Sequence, residues 1–350
     1  MVTLSNNTMV GGVDPHLDHC TIAAIDPVTG ETTAQTLIPN LDDGWKTAVG
    51  FCQRHRIETI GVESASSYGM ALSRELSRAG ITVIEVPTRL TARMRRLDGA
   101  SKTDPGDAIA VARAVITHNL SPWCDSPEAE ALRVLVHRRE ALINIQTREI
   151  NQLRALLTEI DPGYVAQLKR VRTFKAFREL SALDYHDDIY QTTVTDQIQA
   201  IAHTCHDRLK RIKQLQGDIA STLPPAALRL IDQIQGCGVV TAGILFAELA
   251  GTSGFDTNAK FAAWAGISPL DASSGRQQHH RLNRGGNRQA NRAIHTIVVT
   301  QIRQHGPAAH YLNARLTGTP KQRQAQKKRL IRAAKRHVAR QVWKIINTTT

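Results

Sequence analysis

The chain has 350 residues, 41% hydrophobic and 4% aromatic, with 44 Lys and Arg against 31 Asp and Glu. That length leaves room for two or three domains with cores of their own. No apolar run approaches the roughly 20 residues that a membrane span requires, and no signal peptide is visible, so no membrane partner is expected. The five cysteines (Cys20, Cys52, Cys124, Cys205, Cys237) form no C-x-x-C pair. Their scatter argues against a zinc site or a disulfide framework and fits a reducing cytoplasm. The net charge of +13 is unevenly placed: after Asp271 there are 17 Lys and Arg and no acid, whereas the first 271 residues carry 27 basic and 31 acidic groups. A near-neutral body with a purely basic end points to a polyanion, nucleic acid ahead of an anionic membrane surface.

In chain order, residues 10–14 predict a short strand ending in Asp14. Residues 20–26 and 32–38 predict two more, joined by the turn Asp26-Pro-Val-Thr-Gly30. An amphipathic helix is expected near 42–55, then a strand over 58–63 ending in Glu63, a helix over 67–79 closed by Gly80, and a strand over 81–86. A hairpin followed by alternating strand and helix indicates an α/β domain with a mixed sheet.

In Lys102-Thr-Asp-Pro-Gly-Asp-Ala108, Asp104 and Asp107 stand three apart where an Ala-rich helix begins, with Pro105 suited to its first position. Two readings stand. Asp104 is an N-cap and Asp107 an acid at the positive end of the helix dipole. Alternatively, both face one point together with acids delivered from elsewhere. Asp14 and Glu63, at the ends of strands, are the candidates. Four carboxylates repel one another unless they surround a hard divalent cation, for which Mg²⁺ is the natural choice.

Residues 127–222 show Leu132, Leu135, Leu142, Ile150, Leu153 and Leu157, and then Val194, Ile198, Ile201, Leu209, Ile212, Leu215 and Ile219, at spacings near three and four. They predict long helices, either an antiparallel coiled-coil arm for self-association or an ordinary bundle. The segment 162–190 has no assignable pattern. Pro224-Pro225 marks a boundary. Beyond it, two apolar helices joined by Gly236-Cys-Gly238 have the spacing of a helix-hairpin-helix element, whose turn presents backbone N–H groups to a phosphate. A turn with Ser273 and Ser274 then precedes Arg276, Arg281, Arg284, Arg288 and Arg292. Ser-Ser-Gly is ordinary turn chemistry, but a serine hydroxyl among guanidiniums is also placed to attack a phosphodiester. A basic helix from Lys321 to Lys344 suits a phosphate backbone.

Val13-Asp14, Val62-Glu63, Lys102–Ala108, the Gly236-Cys-Gly238 hairpin, Trp264-Ala-Gly-Ile-Ser-Pro269, Ser274-Gly275 and Arg281-Leu-Asn-Arg-Gly-Gly-Asn-Arg288 together resemble the DEDD transposases of bacterial insertion sequences, of the type named insertion sequence 110 with its 1111 branch. The resemblance spans about residues 10–310. It implies a RuvC-like (RNase H-like) domain over 1–125 whose Asp14, Glu63, Asp104 and Asp107 hold Mg²⁺. It also implies a helical, coiled-coil oligomerisation region over 126–225 and a mainly helical transposase domain over 226–350. The serine nucleophile aligns with Ser274, with Ser273 beside it, and Gly236, Gly238, Arg276, Arg281, Arg284, Arg288 and Arg292 face nucleic acid. The implied activity is recombination guided by a structured, element-encoded bridge RNA that pairs with double-stranded DNA of the element ends and the target. DNA is cut and rejoined through a phosphoserine link in a dimer or tetramer, in the bacterial cytoplasm near the nucleoid. Such a link conserves phosphodiester energy, and no G-x-x-x-x-G-K-[ST] loop for a nucleotide is present. Ala290-Asn291 departs from the Leu-Arg of many relatives. Two other readings compete: a hydrolytic Mg²⁺-dependent nuclease such as a junction resolvase, in which Ser274 is idle, and a nucleic-acid-binding protein without catalysis.

Overall fold

The computed structural model describes residues 8–97, 103–118, 120–167, 171–250, 252, 254–271, 280–281, 283 and 286–347. The chain forms two compact units, one comprising residues up to Ser126 with 249–254, the other Pro127–Glu248 with Phe255 onward.

The first unit is built on a five-stranded sheet. β1 (Met9–Pro15) and β2 (His19–Ile25) form an antiparallel hairpin, closed where His16 N donates to His19 O at 2.8 Å. β3 (Thr32–Pro39) extends the hairpin at the edge. After α1 (Asp42–Arg54) the chain returns as β4 (Ile57–Glu63), parallel to β1, and after α2 (Met70–Arg78) as β5 (Thr82–Val86). The order is β3-β2-β1-β4-β5, with β2 alone running against the others. This mixed sheet has the strand order of the RNase H-like arrangement that the resemblance implied. α2 begins at Met70, three residues later than the sequence pattern suggested.

Side chains alternate across the strands. Val13, Cys20, Ile22, Ala24, Ile60 and Val62 therefore point to the face covered by Ala48, Phe51 and Cys52 of α1 and Leu72 and Leu76 of α2. On the other face, Val10 and Ile25 pack on Ala112 of α4 (Asp104–Thr117), which α3 (Thr88–Leu97) flanks. α4 lies against the backbone of β1. A Cβ on Gly12 would collide with the Ala108 carbonyl and the Ala112 amide, so only glycine permits this approach.

The second unit is helical. α5 (Pro127–Ile160) and α8 (Ile189–Thr222) are each 34 residues long. They run antiparallel: Leu142 meets Ile212 and Leu215, while Ile150, Leu153 and Leu157 meet Val194, Ile198 and Cys205. Gln146 Nε2 donates to Cys205 O at 3.1 Å, and Arg208 Nη2 to Glu149 Oε1 at 3.0 Å. The unassigned segment between them contains α6 (Pro162–Gln167) and α7 (Phe174–Leu180), whose Phe177 is fully buried. α9 (Pro225–Gln233) and α10 (Val239–Glu248) follow, and α10 packs on both long helices, so at that end the pair belongs to a bundle.

α11 (Asn258–Trp264) precedes two short strands, β6 (Leu270–Asp271) and β7 (His280–Arg281), which pair antiparallel. α12 (Arg288–Arg303), α13 (Pro307–Asn313) and α14 (Pro320–Asn347) complete the chain. The Trp-Ala-Gly and Gly-Gly-Asn motifs meet back to back. Asn287 N donates to Trp264 O at 2.6 Å, and a Cβ on Gly286 would overlap the Gly266 backbone. All five cysteines are free, and only Cys124 is exposed. No helix among the described residues is long and apolar enough to cross a membrane.

Candidate metal centre and nucleic-acid interface

The register of β1 and β4 pairs Gly12 with Gly61 and Val13 with Val62. Asp14 and Glu63 are the next residues at the same ends of two adjacent strands, two positions on from Gly12 and Gly61. Strand periodicity turns them to the face that α4 covers. The first turn of α4 brings Asp104 and Asp107 to that edge. Asp14 is mostly buried, and burial raises its pKa; His16 opposes the rise, and the charges of Glu63 and Asp107 add to it. Asp107 is buried and ion-paired to Arg95 of α3. No cationic side chain among the described residues pairs with Glu63.

One local expectation is corrected. Asp104 is not the N-cap of α4: Thr103 is, its Oγ1 accepting from Gly106 N at 3.3 Å. The helix therefore starts a residue earlier than Pro105, and the Asp104 carboxylate is left to face outward from the first turn.

Two imidazoles that the sequence reading passed over join these acids. His16 Nε2 lies 3.2 Å from Asp14 Oδ2 and 3.4 Å from Asp104 Oδ1, and His19 Nε2 lies 3.3 Å from Asp104 Oδ2. The rings stack with centroids 4.8 Å apart. Hydrogen bonds to Asp104, and then to Asp18, raise the pKa of His19. The signal was present in Asp14-Pro-His16-Leu-Asp-His19: the tight turn after a strand-end acid returns both rings over that strand's end. His16, His19 and Asp104 also form a set whose ligand atoms converge within metal-binding range.

The donor set fits a divalent cation. Carboxylate oxygens are the preferred ligands of Mg²⁺, and Asp14 is held among like charges that a cation would offset. Asp14, Glu63 and Asp104 are the residues best able to hold it. Asp107 is already matched by Arg95, and the imidazoles add donors that suit Mn²⁺ as well as Mg²⁺.

In the second unit, Ser273, Ser274, Arg276 and Arg284 lie outside the described residues, as does the side chain of Arg281. Gly236 adopts φ 86° in the turn between α9 and α10, where a Cβ would stand 3.0 Å from Ile297 O of α12. Its place in the fold is thus a close contact with α12. Gly238 precedes the first turn of α10 and has open space around it. Arg288 is exposed at the start of α12. Arg292 is ion-paired to Glu140 of α5. Asn291 Nδ2 donates to Ala265 O at 2.8 Å and to Gly266 O at 3.0 Å, and its Oδ1 accepts from the buried Lys335. Along α14, Lys321, Lys327, Lys328, Arg329, Arg332 and Arg340 are exposed.

A folded edge of carboxylates and a second unit rich in unneutralised base define an enzyme acting on DNA, and comparison with known proteins specifies it. The profile of DEDD transposases of the IS110 type matches residues 11–162, and that of the IS116/IS110/IS902 transposase family matches residues 228–313. The 44.8 kDa protein of insertion element IS116 from Streptomyces clavuligerus is 26% identical over 345 residues, covering 86% of each chain. The 43.6 kDa protein of insertion element IS110 from Streptomyces coelicolor is 29% identical over 280 residues, covering 67% of this chain and 69% of its own. Among solved structures, Thermus thermophilus RuvC in complex with a Holliday junction substrate superposes with a TM-score of 0.28 at 14% identity, covering 33% of this chain and 99% of RuvC. The chain belongs to the IS110 family of DEDD transposases, enzymes of DNA transposition and recombination.

Proposed function

We propose that this transposase cuts and rejoins the ends of an insertion element through a serine nucleophile, with Asp14, Glu63 and Asp104 holding Mg²⁺ at the edge of the sheet and Asp107 joining them when it exchanges Arg95 for the cation. The observation that carries the metal site is the side-by-side ending of β1 and β4 beneath the start of α4, which collects acids far apart in sequence. When bound, the cation supplies positive charge to phosphate oxygens and lowers the pKa of a hydroxyl beside it. Asp14 and Glu63 fix the site from rigid strand ends, and α4 delivers Asp104. Ser274 Oγ attacks the scissile phosphorus; the bond to the 3′-oxygen breaks, leaving a free 3′-hydroxyl and a phosphoserine link to the other DNA end. A second strand's 3′-hydroxyl reverses the step, releasing serine. Guanidiniums from the basic region, Arg276, Arg281, Arg284 and Arg288, bind the phosphates around it, and α14 tracks the backbone. In this reading the acids and the serine come from different subunits of a dimer or tetramer, and a bridge RNA pairs with the DNA partners.

The test is a denaturing gel after incubation with element-end DNA, target DNA and the RNA transcribed from the element's non-coding flank. A covalent protein–DNA band that disappears in Ser274→Ala supports the reading, and RNA dependence of that band supports the guide. Cutting by Ser274→Ala without any covalent band would replace it with metal-dependent hydrolysis.

A further inference from the structure

Within the helical unit, α5, α10 and α12 enclose a cavity of about 230 Å³, distinct from every residue set discussed as catalytic. Its walls include Val136 and Ile143 of α5 and Ile244 of α10, and Arg139, Asn144 and Arg292 bring polar groups to it. The charges do not balance. Glu140 has both carboxylate oxygens in use: Oε1 pairs with Arg292, and Oε2 accepts from Gln289 Nε2 at 2.8 Å. That hydrogen bonding, Arg292's first, holds the Glu140 carboxyl below its ordinary range. Arg139 receives nothing from it. Its Nε is buried without a hydrogen-bond partner, and burial first, then the charge of Arg292, disfavours its guanidinium. A buried guanidinium donor without an acceptor costs free energy that a folded chain normally avoids. Two neighbouring guanidiniums, beside one carboxylate whose oxygens are both taken by Arg292 and Gln289, leave room for one more anion.

We propose that this cavity is a phosphate socket, in which Arg139, with Arg292 beside it, receives a backbone phosphodiester of a bound nucleic acid strand. Planar guanidiniums match phosphate oxygens in a fork geometry, and the apolar part of the lining lowers the local dielectric and strengthens the pairing. Nucleic acid is the source because the chain acts on DNA and because the whole sequence after Asp271, Arg292 included, carries no acid. The socket deepens the reading above by adding an anchor from α5 that the serine and metal chemistry do not require.

The experiment measures binding of the full chain to a labelled random-sequence DNA duplex and to a labelled single-stranded RNA, in EDTA, across a range of KCl concentrations. Omitting the metal separates this result from any failure of the metal-centre reading. Arg139→Gln is expected to weaken binding about tenfold and to reduce the slope of log Kd against log salt by about 0.9, the value of one phosphate contact on duplex DNA. Glu140→Gln, which frees Arg292, is expected to tighten binding and to steepen the slope by a similar amount. Arg211→Gln, on the exposed side of α8, is the control and leaves both unchanged. An effect confined to the duplex assigns the socket to DNA, one confined to the single strand assigns it to RNA, and an effect on both assigns it to a shared track. The proposal is overturned if Arg139→Gln melts as the parent does yet binds both probes with unchanged affinity and slope.

Discussion

The two units treat charge in opposite ways. In the α/β unit, strand ends and a helix start push Asp14, Glu63, Asp104 and Asp107 to one edge, and among the described residues Arg95 and two imidazoles are what offset them. In the helical unit, the partly buried acids Glu149 and Glu140 are each paired with an arginine, Arg208 and Arg292, while most of the bases along α14 stand exposed. Clustering like charges lowers stability and is tolerated where a ligand repays it, whereas matched charges hold a scaffold together. The largest expected effect tests this contrast directly. Asp14→Asn should abolish DNA strand cleavage, a loss of at least about a hundredfold in a gel assay. It should also raise the melting temperature of the metal-free protein by about 1–2 °C, because a buried carboxylate under repulsion from Glu63 and Asp107 is removed. Added Mg²⁺ or Mn²⁺ should stabilise the parent more than the variant, read by thermal melting. Equal metal stabilisation of both would remove Asp14 from the cation's ligands.

The next effect concerns how the cluster is built. Gly12→Ala places a Cβ on the Ala108 carbonyl and the Ala112 amide, so α4 must lift from β1. A cost of about 3 kcal/mol or more in urea unfolding is expected, with cleavage lost as Asp104 moves away from Asp14. Gly50→Ala, in open space on α1, serves as the contrast and is expected to be neutral or slightly stabilising.

Much of this edge was legible before any coordinates. Asp14 and Glu63 each closed an apolar run of strand length, Asp104 and Asp107 stood three apart at a helix start, and the observed strand ends fall within a residue of those read from pattern. Helical periodicity in 127–222 likewise marked Leu142, Ile150, Leu153, Ile198 and Leu215, all of them buried. What was not legible depends on backbone detail or on distant partners. Thr103 and Asp104 are both good caps, and only the extended φ of −143° at Thr103 decides between them. His16 and His19 matter because a hairpin returns them over Asp104, 85 or more residues away. α6 and α7 are too short for periodicity to announce. Arg139 lies off the apolar positions of α5, and its burial comes from α10 and α12, which are distant in sequence.

A smaller effect probes the helical unit at Ala290 and Asn291. Ala290 is fully buried, and Asn291 uses both donors on Ala265 O and Gly266 O while accepting from Lys335. Lys335 is itself buried, and burial lowers its pKa. A Leu-Arg pair would not fit this setting unchanged. Asn291→Arg alone would lose these three hydrogen bonds and set a guanidinium against a buried ammonium, at about 2 kcal/mol in denaturant unfolding. Asn291→Arg combined with Lys335→Met should recover part of that loss, because the repulsion is gone while the apolar stem of the side chain remains. If the double variant is no more stable than the single one, repulsion from Lys335 is not what destabilises Asn291→Arg.

The smallest effect returns to α4. Thr103→Ala removes the side-chain acceptor for Gly106 N at the end of the helix that carries two of the acids. Loss of such a cap costs about 1 kcal/mol, and Thr103→Ser should restore it. In a matched-charge scaffold that would be the whole consequence. Here the frayed first turn also contains Asp104, 3.3 Å from His19 Nε2 and 3.4 Å from His16 Nε2. Thr103→Ala should therefore weaken Mn²⁺ binding, measured by calorimetry, about three- to tenfold beyond any change in global stability. Asp188→Ala removes the equivalent cap from α8, where Asp188 Oδ1 accepts from Gln191 N at 2.7 Å. It should cost similar stability and leave Mn²⁺ affinity untouched. The two cap variants thus separate a helix that positions ligands from one that only packs, and equal metal affinity in both would show that the first turn of α4 has no part in holding the ion.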